Sequence, residues 1–352
     1  MAGVSRRDFL QQAGGASAAL AFMVRNGITL DASPLSLPIG AQAWPHRARI
    51  GANSYAGLAS LLKDMKAIGL DAIELVSPSG DFASLTDGKQ VRKALDDNGM
   101  KCPSAHFRGV KTNLPTLITW AHDIGMTHMS MASMSGPMVN GVTTLEAVKR
   151  TCDEYNKLGA IAKKEGLQMM THNEGFENSR LDDGRLTYPV LLEYLDPDVM
   201  KMQFQMSSMR TIGDPVMYFT MYPGRFASAH LQGVDTTAGM NPMRGTLTVK
   251  PTPEQLAAQE AARAARAGGA GAAARGTAPG AGGATAGAPA AAAGRGGRGG
   301  GEGGPLAVGE DTVDWVKVFQ AAKIGGLKNY FVEQNWDVTV RSVAFLKTLN
   351  VA

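Results

Sequence analysis

From residue 38 onward the chain alternates between short apolar runs ending in polar residues and longer stretches with helical periodicity. The apolar runs are Ile39–Trp44, Ala72–Val76, Lys101–Phe107, His128–Met134, Leu167–Asn173, Met200–Met206, Phe226–Val234 and Asn329–Gln334. Between them, Leu58, Leu61, Leu62, Met65 and Ile68 recur at i, i+3, i+4 spacing, as do Val148, Tyr155, Leu158 and Ile161. Val316, Phe319, Ala322 and Lys323 repeat the pattern more weakly. Ile68-Gly69, Ile124-Gly125 and Ile324-Gly325 read as helix ends, because glycine enters the left-handed region without a Cβ penalty. Eight strand–helix units predict an α/β chain with a single (β/α)8 TIM barrel domain over residues 38–352. A doubly wound open sheet is the alternative. Its dinucleotide-binding form gains no support, since no G-x-G-x-x-G follows the first strand.

Two segments stand outside this pattern and change the apparent size. The chain has 352 residues and 43 Gly, which by length alone points to two domains. Residues 252–304, however, hold 16 Gly and 20 Ala in 53 positions and no aromatic residue. So little apolar surface does not offset a backbone ordering cost of about 1–2 kcal/mol per residue, and a disordered insertion after the seventh strand is expected. At the other end, Ser5-Arg6-Arg7-Asp8-Phe9-Leu10 and a small, apolar stretch from Ala13 to Val24 resemble a twin-arginine signal peptide over residues 1–32. About 265 residues remain, the size of one domain. No apolar run reaches the ~18–20 residues of a membrane span.

The net charge of +4 also thins out, since Arg263, Arg266, Arg275, Arg295 and Arg298 against Glu254, Glu260 and Glu302 place half of it in the insertion. Nucleic-acid binding is not expected of a near-neutral body, although the Arg-Gly stretch is of a kind that contacts single-stranded RNA. Cys102 and Cys152 form no metal motif and demand no disulfide.

Chemistry concentrates where the strands end, the face on which barrels of this kind build their sites. The first strand ends at Gln42, Trp44 and His46. The second carries Glu74, the third ends at Ser104 and His106, and the fifth at His172, Asn173 and Glu174. Gln203 and Gln205 end the sixth, His230 and Gln232 the seventh, and Glu333, Gln334 and Asn335 the eighth. Four of the six His thus share one rim, a costly placement unless they pair or bind a cation. Imidazole, carboxylate and amide oxygen together suit Mn2+, Zn2+ or Mg2+.

These residues carry a resemblance. His172-Asn173-Glu174-Gly175-Phe176-Glu177 is similar to an H-N-H-x-x-E motif of the sugar phosphate isomerase/epimerase superfamily, the xylose-isomerase-like barrels. Gly213-Asp214-Pro215, Tyr222-Pro223-Gly224-Arg225-Phe226, Ala229-His230-Leu231, Val308 to Trp315, and Tyr330 to Gln334 resemble further stretches of that family in the same order. The resemblance implies one divalent metal, held by His172 or Glu174, by Gln205, by His230 and by Glu333. Two positions depart from the pattern: Gln205 replaces an Asp, and Glu174 replaces the second His. The expected activity is isomerisation or epimerisation of a sugar or keto-sugar through an enediolate. Glu333 and Glu174 would be the acid/base pair, His106 would bind substrate hydroxyls, and Trp44 and Trp336 would stack on the sugar.

Two alternatives stay open. The same enolate permits β-elimination, a lyase or dehydratase reaction on a 3-keto-glycoside or ketocyclitol. Gln205 also fits a carbohydrate-binding barrel whose metal site has decayed. Export to the periplasm favours an unphosphorylated sugar as the small-molecule partner. Oligomeric state is not legible in the sequence.

Overall fold

A computed structural model describes residues 33–51, 54–132, 134, 142–173, 179–208, 212–235 and 306–351. Eight strands close into an all-parallel barrel. They are β1 (Ile39–Gln42), β2 (Ala72–Val76), β3 (Lys101–Phe107), β4 (His128–Met131), β5 (Gln168–His172), β6 (Met200–Gln205), β7 (Phe226–Leu231) and β8 (Asn329–Val332). The ring shuts where Ala41 of β1 registers with Val332 of β8. Helices α1 (Ser54–Ala67), α2 (Gly88–Asp97), α3 (Val110–Ile124), α4 (Leu145–Lys164), α5 (Thr187–Tyr194), α6 (Pro215–Met221), α7 (Trp315–Gly325) and α8 (Trp336–Leu346) follow the strands in turn. A two-stranded parallel ribbon, Val142–Thr143 with Arg180–Leu181, lies apart from the barrel. Among the described residues no helix is long and apolar enough to cross a membrane.

The expected α1 face is buried at Leu58, Leu61, Leu62 and Met65. Two other faces need correction. In α4, Val148 and Tyr155 are buried but Ile161 is exposed. In α7 the buried stripe is Trp315, Val318, Phe319 and Ala322, so Val316 faces solvent. Phe319 and Ala322 lie on the buried face as expected, while Trp315 and Val318 take the places given to Val316 and Lys323. The α7 cap likewise falls on Gly326, at φ 93, rather than Gly325. Gly325 stays helical and packs against the Phe219 ring, where a side chain would crowd it.

Several motif residues turn out to build helix starts. Asp214 accepts from the Val216 amide ahead of Pro215, and Asp314 accepts from the Lys317 amide ahead of the α7 turn. The Arg225 guanidinium is buried and donates to the Leu195 carbonyl.

Residues 1–32 and 252–304 lie outside the described residues, so the leader and the insertion remain expectations. The described chain that ends at Asp235 and the chain that resumes at Leu306 are well held. The Val234 amide donates to Asp311 at 3.0 Å, and Trp315 Nε1 donates to the same carboxylate at 2.9 Å. Gln334 Nε2 donates to the Leu306 carbonyl at 2.7 Å, and the Val308 amide donates to Ser342 at 3.0 Å. Gly233 runs so close to Leu306 and Ala307 that a Cβ would strike their carbonyl oxygens. Because the chain up to Val234 and from Leu306 is fixed by contacts to α7, α8 and the end of β8, deleting residues 252–304 should leave the melting temperature within a few degrees of the parent. G233A should lower stability by about 1–3 kcal/mol, the usual cost of forcing atoms into a filled space. Thermal unfolding followed by circular dichroism tests both.

Candidate active site at the strand ends

The period of two along each strand decides which residues point into the barrel. It sends inward Ser104 and His106 from β3, Gln203 and Gln205 from β6, and Ser228 and His230 from β7. Barrel interiors are usually packed with branched aliphatics. Here Glu74, Ser104, Ser130, Gln203, Ser228 and His230 are all fully buried in a polar layer.

Glu74 lies at its centre. Its Oε1 accepts from Ser104 Oγ at 2.6 Å and Gln203 Nε2 at 2.8 Å. Its Oε2 lies 2.6 Å from His230 Nε2 and 3.3 Å from His106 Nε2. Burial works to raise the Glu74 carboxyl, but the imidazoles of His106 and His230 outweigh it and hold it at about 2. Gln203 also accepts, through Oε1, from Ser130 Oγ at 2.6 Å, and the same oxygen lies 2.9 Å from His106 Nε2.

A second carboxylate closes the layer toward solvent. Glu333, just past β8, accepts on Oε2 from Gln205 Nε2 at 2.7 Å and Gln232 Nε2 at 3.1 Å. His230 Nδ1 lies 3.2 Å from that oxygen without the direction of a hydrogen bond. Burial raises the Glu333 carboxyl, but His230 and then its hydrogen-bond partners draw it below the ordinary range. For His230, burial lowers the imidazole, yet Glu333 and Glu74 together push it up to about 10. His172 Nδ1 faces the Ala132 carbonyl at 3.2 Å, and burial holds its imidazole down at about 3. Burial also lowers His106.

Among the described residues His106, His172 and His230 each bring a ring nitrogen within 4.8 Å of the others. Their rings lie 4.7–5.1 Å apart. Three observations make this mouth suit a divalent cation. Two ionised carboxylates face one cationic imidazole, which leaves an excess of negative charge. An acceptor oxygen of Glu333 and a ring nitrogen of His230 sit side by side. The Gln205 Oε1 is buried with no hydrogen-bond partner among the described residues. The Gln205 amide thus keeps an oxygen acceptor at the position where the resemblance has Asp, and His172, Gln205, His230 and Glu333 lie together at the mouth. Glu174 lies outside the described residues.

The structure also places the other rim residues. His106, expected to bind substrate hydroxyls, sits inside the imidazole cluster. Trp44 and Trp336 are half-buried and already covered: Arg47 and Arg108 lie over the Trp44 ring, and Arg49 lies over Trp336. Gln334 is tied to Leu306 and Ser342 and has a structural part. Reading strand ends alone gave Glu74 and Gln203 no role. The signal was present in Ala-Ile-Glu-Leu-Val, since a barrel strand has no solvated face and a carboxylate inside it must be paired.

No protein-family model matches the chain, and no curated protein matches it. Solved structures do. A sugar phosphate isomerase/epimerase from Parabacteroides distasonis is 16% identical, with 89% of this chain and 96% of that one covered and a TM-score of 0.56. A xylose isomerase-like TIM barrel protein from Mycobacterium smegmatis, in complex with magnesium, is 12% identical over 90% and 97%, with a TM-score of 0.54. A probable 3-DHS dehydratase involved in petrobactin synthesis, from Bacillus anthracis, is 10% identical over 88% and 98%, with a TM-score of 0.55.

His46, at the same mouth, offers a test of the buried charges. It packs edge-on to Trp336 at 5.7 Å, and burial, then Arg49, lowers its imidazole from 6.5 to about 4. The folded state keeps it neutral, so the unfolded chain takes up the proton first as pH falls below 6.5. Stability should then drop until the folded state protonates near pH 4, by roughly 3 kcal/mol from this group. Denaturant unfolding across that range should show the H46L variant losing this part of the slope. The chain thus has the fold of the sugar phosphate isomerase/epimerases and xylose isomerase-like barrels, with a buried imidazole–carboxylate cluster at the mouth.

Proposed function

We propose that the protein is a divalent-metal-dependent isomerase or epimerase acting on a sugar or keto-sugar through an enediolate. The observation that carries this reading is the convergence of three buried His with Glu333 and the Gln205 amide at the strand ends. His172, Gln205, His230 and Glu333 would hold the metal, which supplies polarisation of a carbonyl and its adjacent hydroxyl. Mn2+, Zn2+ and Mg2+ all suit this donor set.

The rest falls to the chain's own groups. Glu333 is kept ionised by His230 and its amide donors, and a carboxylate drawn below its normal range is a better ligand than base. Proton removal next to the carbonyl is therefore assigned to Glu174, two residues beyond His172. The polar layer beneath excludes bulk water from the reacting end of the sugar. Trp44, stacked near Phe82 and bearing Arg47 and Arg108, offers its exposed part to the substrate's flank. A leader with Arg6-Arg7 would deliver the folded barrel to the periplasm, where unphosphorylated sugars or oxidised glycosides are the available substrates.

A second reading, β-elimination from the same enolate, draws support from the dehydratase that shares the fold. Purified protein should contain about one divalent metal per chain by elemental analysis, and E333Q should lose it. Turnover should fall at least about a hundredfold in that variant. Incubation with keto-sugars in D2O should place deuterium on the carbon beside the carbonyl, whereas a lyase releases the aglycone of a 3-keto-glycoside. Sugar binding with neither metal nor deuterium exchange would instead mark a carbohydrate-binding barrel.

A further inference from the structure

Glu74 touches no position assigned to metal or substrate except through histidine, yet it is a fully buried charge. A carboxylate offers only acceptors, so every group facing it must donate. Gln203 therefore turns its amide nitrogen to Glu74 Oε1, which points its carbonyl oxygen at Ser130 and His106. That oxygen, 2.9 Å from His106 Nε2, requires a proton on Nε2. Glu74 Oε2, 3.3 Å from the same nitrogen, favours that proton electrostatically without a hydrogen bond to it. The 2.6 Å contact to His230 Nε2 imposes the same proton position there.

We infer that Glu74 is a positioning residue that, directly for His230 and through Gln203 for His106, holds a proton on Nε2 of each ring, so that Nδ1 is the nitrogen left to face the cluster. For His230 that nitrogen is the one beside Glu333. His172 is set the opposite way by the Ala132 carbonyl at its Nδ1. Outer carboxylates and carbonyls of this kind select the tautomer of metal-binding histidines. The proposal rests on the metal-site reading for its purpose, but the tautomers of His106 and His172 exist without metal, whereas His230, cationic there, would release its Nδ1 proton to a metal.

An uncharged amide at position 74 breaks the pattern in either orientation. With its nitrogen toward the histidines it demands an acceptor at Nε2. With its nitrogen toward Gln203 it flips that amide and presents a donor to His106. A shortened carboxylate keeps the acceptors. Full-length, metal-free protein labelled with nitrogen-15 in histidine provides the test, with single His variants for assignment. Two-bond proton–nitrogen spectra should show His106 protonated on Nε2 and bare on Nδ1, and His172 the reverse. E74Q should shift His106 to the other tautomer or a mixture, while E74D should keep the parent pattern. A role limited to filling space predicts the opposite order, because Gln is the closer match in shape. Co2+ titration should show E74Q weakened roughly ten- to a hundredfold, with E74D closer to the parent. His106 protonated on Nδ1 in the parent, or parent-like spectra in E74Q, would overturn the inference. Failure of the parent to bind Co2+ would instead sink the metal-site reading and leave the tautomer result standing.

Discussion

One buried negative charge organises the centre of this barrel. Glu74 sits on a strand with no face toward water, so its ionised oxygens need donors from every direction. Ser104, Gln203 and His230 supply them from three other strands, and the His106 ring lies 3.3 Å away. Each donor has its own demands. Gln203 must find acceptors for its second proton and donors for its oxygen, which explains Ser228 and Ser130 in places where Val or Ile would ordinarily pack. The polar interior is thus one connected network, and removing any member leaves another buried group unpaired.

The network hands its order to the mouth. His230 is shared between Glu74 below and Glu333 above, so the two carboxylates communicate through one ring. Glu333 is steadied by two amides, Gln205 and Gln232. Replacing the expected Asp by Gln205 removes one formal charge from the rim. Glu74, lower in the barrel, keeps the cluster negative without adding a competing ligand. That arrangement suits a cation better than the sequence comparison at position 205 implied.

The motifs that carried the family resemblance divide into two kinds. His230, Glu333 and His172 reach the cluster. Asp214-Pro215, Asp314-Trp315 and Arg225 instead start helices or tie a loop carbonyl. In this chain they serve the scaffold rather than chemistry at the site. The flanks of residues 252–304 belong to the same scaffold, since Asp311 and Gln334 hold them to α7 and the β8 end.

The sequence by itself determined the strand–helix alternation, the eight strands to within a few residues, and the rim on which the chemistry sits. Those features follow from local periodicity and from the rule that strand ends build the site. Contact across the barrel decided the rest. No spacing in the chain reveals that Glu74 and His230, 156 positions apart, share a proton, because their meeting depends on the barrel closing and on its register. The same closure moved His106 from the substrate's edge into the imidazole cluster and covered Trp44 and Trp336 with arginine. Periodicity says which way a side chain points, and only tertiary packing says what it meets.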